Sequence, residues 1–222
     1  MVITIDGPAA SGKSTAARLL AEQLGIAYLD TGAMYRAVTV AAMRRGVDLS
    51  DGRALGDAAA GIRIEMDPKG RFVRVDGDDV TSAIRENDVS RNAGRYTATN
   101  EGVRAVLVGE QRRIAGRWKD LVTEGRDQGS VVFPDAELKV YLHCSDEERA
   151  RRRHLELRQR GENVSFEQVL EEIRQRDKSD RERMIGPLRP PDGSVNLDTD
   201  GKSIEETVDY LARLVHGTRQ VG

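Results

Sequence analysis

Residues 2–14 read Val-Ile-Thr-Ile-Asp-Gly-Pro-Ala-Ala-Ser-Gly-Lys-Ser, and the fold is decided there. Val2–Asp6 is a short apolar run ending on an acid, as expected of a buried strand. Gly7, Pro8, Ala9, Ala10, Ser11, Gly12, Lys13 and Ser14 then match G-x-x-x-x-G-K-[ST]. The spacing has a physical basis. Its glycines let the backbone wrap so that N–H groups point inward at phosphate oxygens. Lys13 brings a point charge to the β- and γ-phosphates, and the Ser14 hydroxyl can ligate Mg²⁺. Thr15 continues into a helix whose positive N-terminus faces the same anion. A strand before the loop and a helix after it are the context the motif demands.

Outward from this loop, four more β-like runs follow: Ala27–Asp30, residues 121–124, Leu138–His143 and Val195–Asp198. Stretches with helical spacing separate them, at Lys13–Leu24 and residues 33–45, 103–115, 147–159, 166–183 and 204–214. Alternating strands and helices predict a five-stranded parallel sheet flanked by helices, an α/β fold of the P-loop NTPase type. Ligands in such sheets sit beyond the carboxyl ends of the strands. The alternation breaks between 61 and 100. There, residues 62–66 and 72–76 flank the turn Asp67-Pro68-Lys69-Gly70 and predict a β-hairpin within an insertion. The tail 217–222 is expected to fray.

The chain has 222 residues, 38% hydrophobic and 32% charged, which suits a single domain with insertions. A net charge of −2 gives no basic field for nucleic acid. No apolar run approaches membrane length, and the opening residues are too short for a signal segment. The single cysteine, Cys144, allows no internal disulfide and fits a reducing cytoplasm. His143, His154 and His216 show no zinc spacing. Six lysines stand against 29 arginines. Arginine grips phosphate through a planar fork, but an Arg-favouring genome gives the same excess, so placement has to decide.

Placement is informative at three sites. Asp30-Thr31-Gly32-Ala33-Met34-Tyr35-Arg36 follows the second strand. Thr31 and Gly32 can cap the next helix, with Arg36 one turn in, facing any anion at that N-terminus. Gly125-Arg126-Asp127-Gln128-Gly129 follows the third strand and puts a cation and a carboxylate at the site mouth. Arg176, Asp180 and Arg183 fall at i, i+4 and i+7 on one helical face. Upstream lie Arg149, Arg152 and Arg153, with a break at Gly161-Glu162-Asn163. Two Arg-bearing helices joined by a hinge form either a solvated, salt-bridged hairpin or a lid closing over a nucleotide.

These segments together resemble the bacterial cytidylate kinase family. The resemblance rests on GPAASGKST (7–15), DTGAMYR (30–36), GRDQGSVVFPDA (125–136), RDKSDRER (176–183) and LDTDGKSIEE (197–206), which span nearly the whole chain. It implies one kinase domain over 1–222, with a nucleoside-monophosphate-binding insertion at 61–100 and a helical lid at 149–183. It further implies that Thr31, Arg36, Arg126 and Arg183 bind the acceptor phosphate, Arg176 and Asp180 the ribose, and Asp127 and Arg104 the cytosine edge. Arg153 on the lid would contact ATP. Lys13, Arg126, Arg183 and Arg153 would neutralise the transferring group, and Asp30 would stand behind the metal. The stretch 92–101 departs from the family pattern. It runs one residue longer, and no serine aligns with the one that helps read the base.

The resulting expectation is a cytoplasmic, monomeric kinase that converts ATP and CMP or dCMP, with Mg²⁺, into ADP and CDP or dCDP. A P-loop kinase for AMP, UMP or shikimate is the alternative within the class. A nucleotide-dependent switch without transferase activity is the alternative outside it, although the guanine-reading N-K-x-D is absent.

Overall fold

The computed structural model describes residues 1–221, with side chains through Thr218. Strand β1 (Val2–Asp6) leads through the phosphate loop into helix α1 (Lys13–Leu24), which follows Gly12 at φ 85° and ends at Gly25 at φ 66°. Both values lie in the left-handed region that glycine enters without strain. Strand β2 (Ala27–Asp30) and helix α2 (Thr31–Arg44) come next. The cap of α2 differs from the expectation. Asp30 is the N-cap, accepting from the Ala33 N–H at 2.7 Å, so the helix begins at Thr31. A carboxylate is the stronger acceptor there, and it leaves the Thr31 hydroxyl free for another partner.

Helix α3 (Gly52–Ala60) was not anticipated. Asp51 caps it through the N–H groups of Arg53 and Ala54. Its Gly56 lies against Gly102, where a Cβ on Gly102 would stand 3.2 Å from the Gly56 Cα. These two glycines let α3 pack closely on a later helix. The expected hairpin is present and acquires a third strand. Strands β3 (Ile64–Met66), β4 (Val73–Val75) and β5 (Asp78–Asp79) form a small antiparallel sheet in that order. Its turn is anchored on the main sheet, because the Tyr28 N–H donates to the Pro68 carbonyl at 2.8 Å. Gly70, at φ 69°, lies on the Tyr28 ring. The exposed edge of β2 is thereby covered.

Helix α4 (Asn87–Asn92) runs into a π turn over Ala93–Thr97, closed by Ala98 N–H to Ala93 C=O at 2.8 Å. Helix α5 (Glu101–Ala115) is capped by Asn100 and precedes strand β6 (Leu121–Gly125). A second π turn, Gln128–Val132, follows β6 after Arg126 and Asp127. Strand β7 (Leu138–His143) leads into the antiparallel helices α6 (Asp146–Gln159) and α7 (Phe166–Glu182). Strand β8 (Val195–Asp198) and helix α8 (Ile204–Val221) complete the chain. Helix α8 continues through Gly217, where fraying was expected. Thr218 donates to the Leu214 carbonyl one turn back, and Gly222 lies outside the described residues.

The main sheet is parallel throughout, in the order β2-β6-β1-β7-β8. Two apolar clusters cover its faces. Leu29, Met34, Leu55 and Leu107 belong to the cluster built from α2, α3 and α5, which extends into the insertion through Val73 and Val75. Ile3, Leu20, Leu142 and Leu211 belong to the cluster under α1 and α8. A third, small cluster (Ala150, Leu157, Val169, Ile173) lies between α6 and α7 and touches Ala10 of the phosphate loop. The connections leaving β1 and β6 diverge to opposite sides of the sheet, so the crevice opens at the carboxyl ends of these two neighbouring strands. Among the described residues, no helix is long and apolar enough to cross a membrane.

Candidate active site

The phosphate loop is tightly enclosed. A Cβ at Gly7 would collide with the Leu142 carbonyl, and Ala10 adopts φ 57°. Lys13 is buried and donates to the Pro8 carbonyl at 3.1 Å, with Glu124 at 4.0 Å. Burial holds its pKa below the usual lysine range, and the nearby Arg126 charge adds to that effect. Ser14 donates to Glu124, and the Ser11 hydroxyl is buried without a partner. Burial and the Asp30 carboxylate raise the Glu124 pKa.

The expected acceptor residues gather at the neighbouring strand ends. Thr31 donates to the Glu124 carbonyl at 2.7 Å, tying the start of α2 to β6. Arg36 pairs with Asp30 at 3.1 Å. Arg126 reaches Asp180 on α7 at 2.7 Å, and Arg183, the residue after α7 ends, reaches the other oxygen of Asp180 at 3.3 Å. Burial opposes the charge of Asp180, but Arg126, Arg176 and Arg183 together hold its pKa below the usual carboxylate range. Arg104 and Asp127 form an ion pair, both nearly inaccessible, with Tyr35 beneath the guanidinium and Arg183 3.9 Å from Asp127. Arg176 is exposed at the cleft, its guanidinium against Gly94 of the first π turn.

The arginines of α6 have different partners. Arg153 pairs with Glu156 at 2.8 Å and donates to Asn87 at 3.5 Å. Arg152 takes the inward position. It donates to the Thr199 carbonyl at 3.0 Å, and its guanidinium would lie 3.6 Å from a Cβ on Gly12. With Ser11, Thr15, Thr199 and Lys202 it lines a cavity of about 220 Å³. Arg149 is wholly buried, donating to the Ala9 carbonyl at 3.0 Å and pairing with Asp177 at 2.6 Å, while Asp177 accepts from the Ala9 N–H. One ion pair thus joins α6 and α7 to the tip of the phosphate loop. Outward-facing pairs such as Arg151–Glu148 and Arg174–Glu147 supply the salt-bridged character that was the other reading of these helices.

Glu124 and Asp6 were not singled out from the sequence. Each is an acid at the carboxyl end of a central strand, and that position was the available signal.

The sequence model of the cytidylate kinase family matches residues 3–217. A cytidylate kinase from Rhodococcus jostii is 43% identical over 217 residues, covering 97% of this chain and 94% of its own. One from Anoxybacillus flavithermus is 46% identical over 215 residues, covering 96% and 95%. Among solved structures, shikimate kinase from Bacteroides thetaiotaomicron superposes with a TM-score of 0.52 at 13% identity, covering 97% of this chain and 98% of its own. That likeness is one of fold alone.

Proposed function

The chain belongs to the cytidylate kinase family, and from that premise we propose that it transfers the γ-phosphoryl group of ATP to CMP and dCMP through the residues around Lys13 and Arg126. The observation that carries the reading is the cluster Arg126, Asp180, Arg183, Asp127 and Arg104, joined by ion pairs beside the phosphate loop. Its arginines suit an acceptor phosphate. The Asp127 carboxylate is an acceptor only, matched to the exocyclic amine of cytosine.

The acceptor is itself a phosphate oxygen, anionic near neutral pH, so no general base is needed. Residues 7–15 wrap the donor phosphates, and the orphan Ser11 hydroxyl gains a partner there. Lys13, Arg126 and Arg183 neutralise charge as it spreads over the transferring group. Thr31, Arg36, Arg126 and Arg183 hold the acceptor phosphate, and Arg176 and Asp180 hold the ribose. Arg152 replaces Arg153 as the lid cation at the donor. The insertion 61–100 and the lid 149–183 close from two sides and exclude water that would hydrolyse ATP.

Mg²⁺ fits the donor set of this site, since the Ser14 hydroxyl, with the Glu124 and Asp30 carboxylates behind it, suits an ion that retains waters and phosphate ligands. When bound it supplies charge to the β- and γ-phosphates.

The test is an acceptor panel of CMP, dCMP, UMP, AMP and shikimate with ADP release coupled to detection. CMP and dCMP are expected to be the best acceptors. Equal rates with and without an acceptor would overturn the reading in favour of a hydrolytic switch.

A further inference from the structure

Asp6 is the last residue of β1, and its main chain runs straight into Gly7 and the phosphate loop. Its side chain goes the other way. Fully buried, it accepts from the Gln128 N–H with one carboxylate oxygen and from the Gly129 N–H with the other, both at 2.8 Å. These are the first two N–H groups of the second π turn, which have no acceptor within their own turn. The residues immediately before them are Arg126 and Asp127. One residue therefore belongs by backbone to the donor side and holds by side chain the loop of the acceptor side. We propose that Asp6 is a positioning residue for phosphoryl transfer, setting the distance and angle between the phosphate loop and the Arg126–Asp127 pair.

The inference rests on the phosphotransferase reading above. The loop has a second anchor, in which Thr123 donates to the Gln128 side-chain oxygen at 2.9 Å and the Gln128 amide donates to Gln111 at 3.1 Å. That anchor ties the loop to β6 and α5, on its own side of the site. The Asp6 bonds reach across to β1, in register with Gly125 of β6. Burial raises the Asp6 pKa to about 7, although the two N–H groups work against the rise. A neutral residue of the same size would avoid that burial penalty but could not accept from both N–H groups. In-line transfer is sensitive to this geometry, because a shift of about 1 Å at the reacting groups lowers rate by around 10²-fold.

Asp6→Asn tests it. The amide nitrogen cannot accept, so one loop N–H loses its partner while the shape is kept. The expected result is a KM for CMP raised about tenfold and a kcat lowered about 10–100-fold. The Kd for ATP, measured by calorimetry without CMP, is expected to stay within about twofold. A purely structural role would lower the melting temperature without separating the two substrates. Unchanged CMP parameters, or equal losses for ATP and CMP, would overturn the proposal. Wild-type protein is assayed alongside, and failure of the wild type on CMP would count against the kinase reading instead. If Asp6→Asn does not fold, Gln128→Leu decides, because it cuts the tie to Thr123 and Gln111 and spares both Asp6 bonds. A loss in CMP kcat/KM below about fivefold then supports Asp6 as the anchor, and a larger loss overturns it.

Discussion

Ser14 donates its hydroxyl to a carboxylate oxygen of Glu124 at 2.7 Å. The start of α1 and the end of β6 are thereby joined beside the phosphate loop. Glu124→Gln keeps the shape and removes the charge. Groups standing behind a metal ligand typically contribute 10–100-fold to affinity, so the Mg²⁺ concentration for half-maximal rate is expected to rise by about that factor. A Mg²⁺ titration of ADP production checks it, and an unchanged midpoint would remove Glu124 from this role.

Lys13 carries a pH signature. Its folded pKa lies below the ordinary value of about 10.4, through burial and Arg126. The unfolded chain therefore binds more protons there, and this residue's contribution to stability grows as pH rises through that window. Donor phosphates favour the charged amine, so ATP binding at pH 8 is expected to draw in protons. Calorimetry in two buffers of different ionisation enthalpy measures the uptake. It should vanish in Lys13→Met, a variant expected to fold and to lose about 10²–10³-fold in kcat. No uptake in the wild type would mean that Lys13 is already fully protonated.

Asp127 pairs with Arg104 and approaches Arg183, with all three side chains nearly inaccessible. Removing one partner of a buried pair commonly costs about 3–5 kcal/mol. Asp127→Asn is expected to approach that loss, read from the denaturation midpoint. Its amide can rotate to donate or accept, so the CMP-over-UMP ratio in kcat/KM is expected to narrow. A fall in stability with an unmoved ratio would make Asp127 a support for the two arginines, with selectivity residing elsewhere.

Arg152 and Arg153 are neighbours in sequence with opposite surroundings. Arg152→Ala is expected to raise the KM for ATP about tenfold, the scale of one lost charge-assisted hydrogen bond. Arg153→Ala loses a partly exposed pair to Glu156 and is expected to change the KM for ATP less than about twofold. The reverse outcome would mean that the lid rotates about its axis when the donor binds.

The central strands β1 and β6 were legible because their apolar runs are buried on both faces, leaving a continuous signal, and β7 through its alternation of buried and half-buried residues. Helix α3 was not. Gly52 and Gly56 weaken its helical signal over only nine residues, and what holds it is the Asp51 cap and contact with Gly102, the latter distant in sequence. The two-residue strand β5 exists only by pairing with β4. The phosphate loop was legible because its chemistry requires fixed residue types at fixed spacing. The different surroundings of Arg152 and Arg153 were not, because successive residues on a helix point about 100° apart and the Thr199 carbonyl that receives Arg152 lies more than forty positions later.

The π turn at 93–97 gives one stretch of the cleft wall a tolerance to changes in chain length. Such a turn accommodates one residue more than an α turn within nearly the same span. Beyond it, the Ala98 carbonyl still receives Arg104 at 3.4 Å, and Asn100 still caps α5. A residue gained or lost here would be absorbed as a widening or tightening of the coil, with Arg104 kept in place. What would change is the surface shown to Arg176, now the bare backbone of Gly94. An insertion or deletion at this turn would alter the wall opposite Arg176 while the end capped by Asn100 stays fixed.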